Sequence, residues 1–215
     1  MSSHWTVTLP GSDTSLHFEK ADPDVDAPLL HDWLHRPHVA PWWGADRDID
    51  ETRAYLARQR SSDHLVPWIV SHRAVGEGEG DADGRLPRPF GYVETYRPYD
   101  DPLASWFPVR PTDRGWHVLV GPPDVVGSGL SRLMGRAVLA YLLSEPAPEP
   151  IDRVLCEPNE LNGRMLAYCK ALGYEPLAAV DLPTKRALVM ACTRDAFIAR
   201  WPDDLAAVAT HAPVS

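Results

Sequence analysis

Apolar and polar positions along the chain alternate between two periods. Leu130, Leu133, Met134, Ala137, Val138 and Tyr141 recur at i, i+3, i+4, i+7, i+8 and i+11. That spacing predicts an amphipathic helix over 128–143. Leu29, Leu30, Trp33 and Leu34 give 23–35 a similar face, and Pro37 stops it. The stretch 48–62 opens on acids and closes on arginines, as a helix dipole favours. A helix is predicted over 160–173 with Gly173 as its C-cap, and a short one over 194–201. Strand patterns occupy 15–21, 65–73, 89–99, 114–123, 151–158, 176–180 and 186–192.

The order β-α-α-β-β-β-α-β-α-β-β predicts an α/β, mixed α+β, class with helices packed on a mixed sheet. There is no repeat and no sign of a second domain, so 1–215 reads as one domain. Residues 1–14 read as a flexible tail and 203–215 as a C-terminal tail. The Gly-, Asp- and Glu-rich stretch 75–88 reads as a mobile hairpin loop.

Composition narrows the class. The net charge of −9 argues against a nucleic-acid groove and suits a small cationic ligand. No apolar run reaches membrane-spanning length, and the first residues lack a signal-peptide pattern. Cys156, Cys169 and Cys192 have no C-x-x-C spacing, so no metal site is expected. They read as buried thiols of a cytoplasmic protein.

Two motifs carry candidate chemistry. Gly127-Ser128-Gly129 follows a strand and opens the helix over 128–143. Glycines there let a ligand approach the backbone, and free N–H groups at a helix start favour an anion. An ordinary turn fits the same residues. Further on, Asn162 sits near a helix start and Tyr168 nearly two turns in. Alone, they fit a cap and a core aromatic.

Together, strand, Gly-x-Gly, helix, strand and Asn-x5-Tyr resemble the GNAT superfamily of acyl-CoA-dependent N-acyltransferases. The resemblance implies a twisted, mostly antiparallel sheet of six to seven strands flanked by helices. It implies acetyl-CoA or another short acyl-CoA as co-substrate. Gly127, Ser128, Gly129, Leu130 and Ser131 would hold its pyrophosphate. Leu119 and Val120 would meet pantetheine through their backbones, and Asn162 would contact the cofactor. Tyr168 would serve the leaving thiolate. Asp124 stands where the family usually has Arg or Gln, so the anion would depend on backbone N–H groups.

The segments WLHRPHVAPWWG, GWHVLVGPP and RVLCEPNELN resemble the siderophore-biosynthesis branch, whose members acylate N-hydroxylated amines such as N-hydroxylysine. The first segment also resembles aminoglycoside 6′-N-acetyltransferases. The branch implies a catalytic His117 with an acidic partner after the strand. Asn159 occupies that position, and Glu157 is the substitute. On its own, His117 fits a general base or a structural histidine bonded across the sheet.

Trp42 and Trp43, adjacent in a Pro-bounded segment after His38, will not both enter one core. They fit an acceptor-site wall or a lid on the first helix. Glu94, Tyr96, Tyr99, Asp100 and Asp101 supply acids and aromatics able to hold a cationic end. From these come the acceptor-site candidates His38, Trp42, Trp43, Glu94, Tyr96 and Asp100.

The expected activity is acylation of an N-hydroxylated lysine, ornithine or diamine side chain to a hydroxamate. Aminoglycoside acetylation and a non-catalytic acyl-CoA-binding role are the alternatives. The expected partner is a small cationic amine or hydroxylamine, not a nucleic acid or a membrane. Homodimer formation is left open.

Overall fold

The computed structural model describes residues 4–44, 46–76 and 87–209. Its strands are β1 (His4–Thr8), β2 (Thr14–Lys20), β3 (Leu65–Ala74), β4 (Arg88–Tyr96), β5 (Arg114–Val120), β6 (Arg153–Cys156), β7 (Glu175–Leu182) and β8 (Lys185–Thr193). Its helices are α1 (Pro23–Leu34), α2 (Ala40–Trp43), α3 (Ile49–Arg60), α4 (Gly129–Ser144), α5 (Gly163–Ala171), α6 (Arg194–Arg200) and α7 (Asp204–Ala209). The strands form one eight-stranded sheet in the order β1-β2-β3-β4-β5-β6-β8-β7. All neighbours are antiparallel except β5 and β6.

Helix ends follow local chemistry. Asp48 and Glu51 close a reciprocal capping box at the start of α3. Asn162 caps α5, so that helix begins later than its apolar pattern suggests. The sheet separates two cores. One face packs on α4, through Met134, Ala137, Val138 and Leu142, together with Trp116 of β5. The other packs on α1 and α3, through Leu30, Trp33, Leu34 and Leu56, together with Tyr92 and Leu119. Alternation along β5 thus turns Trp116 to the α4 side and Leu119 to the α1/α3 side.

The N-terminal residues correct the expected tail. His4–Thr8 is strand β1, which brings the sheet to eight strands, and Trp5 and Val7 are buried. Trp5 stacks between Phe18, at 3.8 Å, and Tyr141, at 4.9 Å. The expected C-terminal tail also holds structure. In α7, buried Asp204 accepts two hydrogen bonds of 2.9 Å from the Arg136 guanidinium of α4. Residues 77–86 of the expected mobile loop lie outside the described residues.

The first strand is therefore part of the core. Trp5→Ala is expected to cost about 3–5 kcal/mol of stability, the range for a buried Trp, as read by urea unfolding. A loss within about 0.5 kcal/mol, typical of a surface site, would contradict its placement.

Candidate active site

β5 and β6 pair over only Arg114–Val154 and Gly115–Leu155. β5 then runs on to Val120 while β6 ends at Cys156, so the sheet splays open. The β4–β5 register and the Gly121 N–H bond to the Phe90 carbonyl fix the backbone directions. Leu119 and His117 turn their backbone groups toward β4, and Val118 and Val120 toward the splay. This corrects the expectation for Leu119: its backbone belongs to the β4 ladder, and Val118 stands in its place. The carbonyl of Val120 accepts a 2.9 Å bond from His38 Nε2. His38 thus ties the α1–α2 turn to β5.

The Gly127-Ser128-Gly129 turn has open space above both glycines, and Gly127 has φ 75°. Ser128 is the N-cap of α4, yet its side chain makes no capping bond. Its Oγ is shielded from solvent and lacks a partner among the described residues. No acid enters the first turn of α4. Ser131 Oγ bonds the Ser128 carbonyl at 2.9 Å, and Leu130 packs against the core. Open N–H groups at the start of a 16-residue helix suit a pyrophosphate.

A cleft of about 570 Å³ lies between the α1–α2 segment and the start of α5, lined by Pro37, His38, Pro41, Trp42, Asn162 and Arg164. The splay backbone suits the pantetheine arm of acyl-CoA and the open α4 start its phosphates. Asn162 lines the cleft, but its Oδ1 already accepts the Met165 N–H at 3.1 Å. Tyr168 donates a 2.7 Å bond to the Ser131 carbonyl at the start of α4. A Cβ on Gly135 would lie 2.5 Å from that phenol oxygen, so glycine gives the phenol its room. Burial raises the Tyr168 pKa and keeps its proton in place.

On the α1/α3 side, His117 lies between two carboxylates. Its Nδ1 is 3.0 Å from Glu94 Oε2 and its Nε2 2.7 Å from Glu157 Oε1. Glu94 Oε1 also accepts from Tyr55, from Tyr92 at 2.8 Å and from Gln59 at 3.1 Å. Glu157 Oε2 accepts from Tyr96 at 2.7 Å, and Lys185 Nζ lies 3.7 Å from Oε1. Carboxylates receiving so many donors are ionised, so both ring nitrogens of His117 donate and the ring is an imidazolium.

The proton affinities agree. Burial opposes charge on His117, but Glu157 and then Glu94 lift its pKa to about 10. Burial likewise opposes charge on Glu157, but His117, Lys185 and Tyr96 bring it down to about 2. Glu94 is lowered against the same burial, chiefly by its His117 hydrogen bond. His117 is the accessible member, with 32% of its side-chain surface exposed against 3% for Glu94 and 7% for Glu157.

Several expectations change here. His117 offers no free base nitrogen at rest. Glu94 and Tyr96 are buried supports of His117 and Glu157 rather than acceptor contacts. The Tyr96 ring stacks on His117 at 4.7 Å and lies over Gly115, where a Cβ would come within 2.4 Å of it. Asp100 pairs with Arg97 at 2.7 Å on the surface. Its neighbour Asp101 instead feels the charges of His117 and Glu157, and burial raises its pKa. Asn159 uses its Oδ1 for the Leu161 N–H, so Glu157 is the partner of His117.

The tryptophans divide. Trp43 meets Tyr92 edge-on at 5.8 Å and His117 at 6.4 Å, while Trp42 lines the cleft. Tyr55, Gln59, Tyr92 and Lys185 were absent from the sequence candidates. The i, i+4 spacing of Tyr55 and Gln59 and the i, i+2 spacing of Tyr92 and Glu94 were the available signals.

A family model described as an acetyltransferase (GNAT) domain matches residues 22–182. The chain belongs to the GNAT acetyltransferase family. It is 31% identical over 183 residues to an N(6)-hydroxylysine O-acetyltransferase of Escherichia coli, covering 85% of this chain and 53% of that protein. It thus spans about half the length of that relative. It is 30% identical to an N-hydroxyputrescine acetyltransferase of Acinetobacter baumannii, covering 80% of this chain and 74% of that protein. Among solved structures, an uncharacterized protein from Bacillus halodurans superposes with a TM-score of 0.79 at 26% identity, covering 95% of this chain and 97% of that one. An aminoglycoside acetyltransferase in complex with coenzyme A shares the fold, with a TM-score of 0.68 at 24% identity and coverage of 85% and 96%.

The charge bridge sets a pH dependence. His117 is raised from 6.5 to about 10, so its contribution is full below pH 6.5 and is lost as pH rises through 10. Glu157 is lowered from 4.5 to about 2, so its contribution is full above pH 4.5 and is lost as pH falls through 2. The melting-temperature gap between wild type and Glu157→Gln should be widest between pH 4.5 and 6.5 and shrink toward pH 10. A gap that stays constant to pH 10 would contradict the bridge.

Proposed function

We propose that this GNAT enzyme acylates the nitrogen of an N-hydroxylated side-chain amine and yields a hydroxamate, a step of siderophore biosynthesis. The Glu94–His117–Glu157 bridge is the observation that carries this reading. An alkyl ammonium has a pKa near ~10 and must lose a proton before it can attack. Neither an imidazolium with both nitrogens engaged nor a carboxylate held near 2 is a strong base for that step. A hydroxylamine is weakly basic and reaches the site already neutral.

Bound acyl-CoA supplies the acyl group as a thioester and leaves as the free thiol. The backbone of Val118 and Val120 holds the arm, and the α4 start holds the phosphates. Glu157, fixed by His117, Tyr96 and Lys185, accepts a hydrogen bond from the acceptor's N–H and orients its lone pair. Asp101 adds negative charge for a cationic acceptor end. The Tyr168 phenol, kept protonated by burial, stands at the α4 start as a hydrogen-bond donor for the leaving sulfur. The proton lost by the acceptor nitrogen balances the departing thiolate as free thiol, so the protein's own protons are unchanged over a cycle. The names of the E. coli and A. baumannii relatives support the same acceptor class.

Thiol release from acetyl-CoA, with hydroxamate detected as its ferric complex, tests this directly. N-hydroxylysine or N-hydroxyputrescine should be turned over in preference to kanamycin. Glu157→Gln should lower kcat by about 10²-fold, the cost of a misplaced reacting group, with little change in acetyl-CoA affinity. Preference for kanamycin, or unchanged kcat in Glu157→Gln, would overturn the reading.

A further inference from the structure

Arg47 lies in the segment that follows Trp43 and leads into α3. Its guanidinium sits 4.5 Å above the ring of Tyr55, whose hydroxyl donates to Glu94 Oε1. Arg47 is therefore two side chains from His117. Its Nη1 is shielded from solvent and has no hydrogen-bond partner among the described residues. Arg58 stands 5.9 Å from the same ring and adds a second positive charge.

Of the acids near Arg47 in sequence, Asp46 is exposed and the next three are engaged elsewhere. Asp48 and Glu51 close the α3 capping box, and Asp50 pairs with Arg53. An unpartnered guanidinium nitrogen withdrawn from water is costly, and one in a chain of net charge −9 needs a reason. Arginine's fixed fork matches a carboxylate better than any other anion an amine acceptor carries.

We infer that Arg47 binds the α-carboxylate of the acceptor, making the substrate class N-hydroxylated amino acids rather than their decarboxylated diamines. This rests on the hydroxamate reading above and sharpens it. With its carboxylate on Arg47 and its hydroxylamino nitrogen at Glu157, such an acceptor spans the site from the Tyr55 side to the splay. A polycationic aminoglycoside would bring positive charge against the same guanidinium. The Glu94 network then has a second function: it holds the Tyr55 ring on which Arg47 rests.

N-hydroxylysine and N-hydroxycadaverine differ only in the carboxylate and form the test pair. Arg47→Gln should raise KM for N-hydroxylysine by about tenfold or more, as for loss of a charge-assisted hydrogen bond, with kcat near wild type. KM for N-hydroxycadaverine should stay unchanged, and Arg47→Lys should recover part of the loss. Equal KM shifts for both acceptors, or none for either, would overturn the assignment. Calorimetric titration with unmodified lysine and cadaverine is a readout independent of turnover. Wild type should prefer lysine, and Arg47→Gln should lose that preference. Equal lysine affinity in the two proteins would refute the Arg47 site. If the wild type acylates neither hydroxylamine, the hydroxamate reading falls while the titration still decides on Arg47.

Discussion

The site depends on one interaction: an imidazolium held between two carboxylates that are buried on either side of it. Each carboxylate comes from a different place in the sheet. Glu94 stands opposite His117 in the β4–β5 register, and Glu157 follows the end of β6. Neither acid would remain ionised at such burial without its other donors, because desolvation favours the neutral carboxyl. Tyr55, Tyr92 and Gln59 serve Glu94, and Tyr96 and Lys185 serve Glu157. Removing one partner leaves an uncompensated charge, so the set stands or falls together. That is why α3, β4, β5, β6 and β8 must all be in place before the charge bridge forms.

The two halves of the site are built from different materials. In the proposed reading the acyl-CoA half uses the backbone: the strand edge at Val118 and Val120 left open by the short β6, and the uncapped start of α4. Such a surface needs little of its side chains beyond small size. The acceptor half uses side chains, and its selectivity lies in where charge is placed. In the proposed reading, His117 and the carboxylates decide the protonation state of the nitrogen that can react. Trp42 and Trp43 form the boundary between the halves, one on the cleft and one against His117.

Periodicity revealed most of the fold. The long apolar repeat of α4 and the Gly-x-Gly before it needed only local spacing to read, and local spacing survives folding. β1 escaped because only Trp5 and Val7 mark its buried face, and five residues make a short pattern beside a polar turn. α7 escaped because its anchor is an ion pair to Arg136, far away in sequence. His117 and Glu157 stood out in the sequence, but their protonation did not. It depends on strand register, on the bare Gly115 that admits Tyr96, and on two α3 side chains folding over β4. Asp100 and Asp101 show the same limit: adjacent residues in a turn, one paired with Arg97 on the surface and one capping the next turn through the Leu103 N–H.

The central claim concerns protons on one ring. A ¹H–¹⁵N correlation spectrum of the His117 imidazole, taken between pH 6.5 and 10, reads them directly. Both Nδ1 and Nε2 should carry a hydrogen throughout most of that range. A neutral ring, with one nitrogen bare near pH 6.5, would contradict the bridge and restore His117 as an ordinary base.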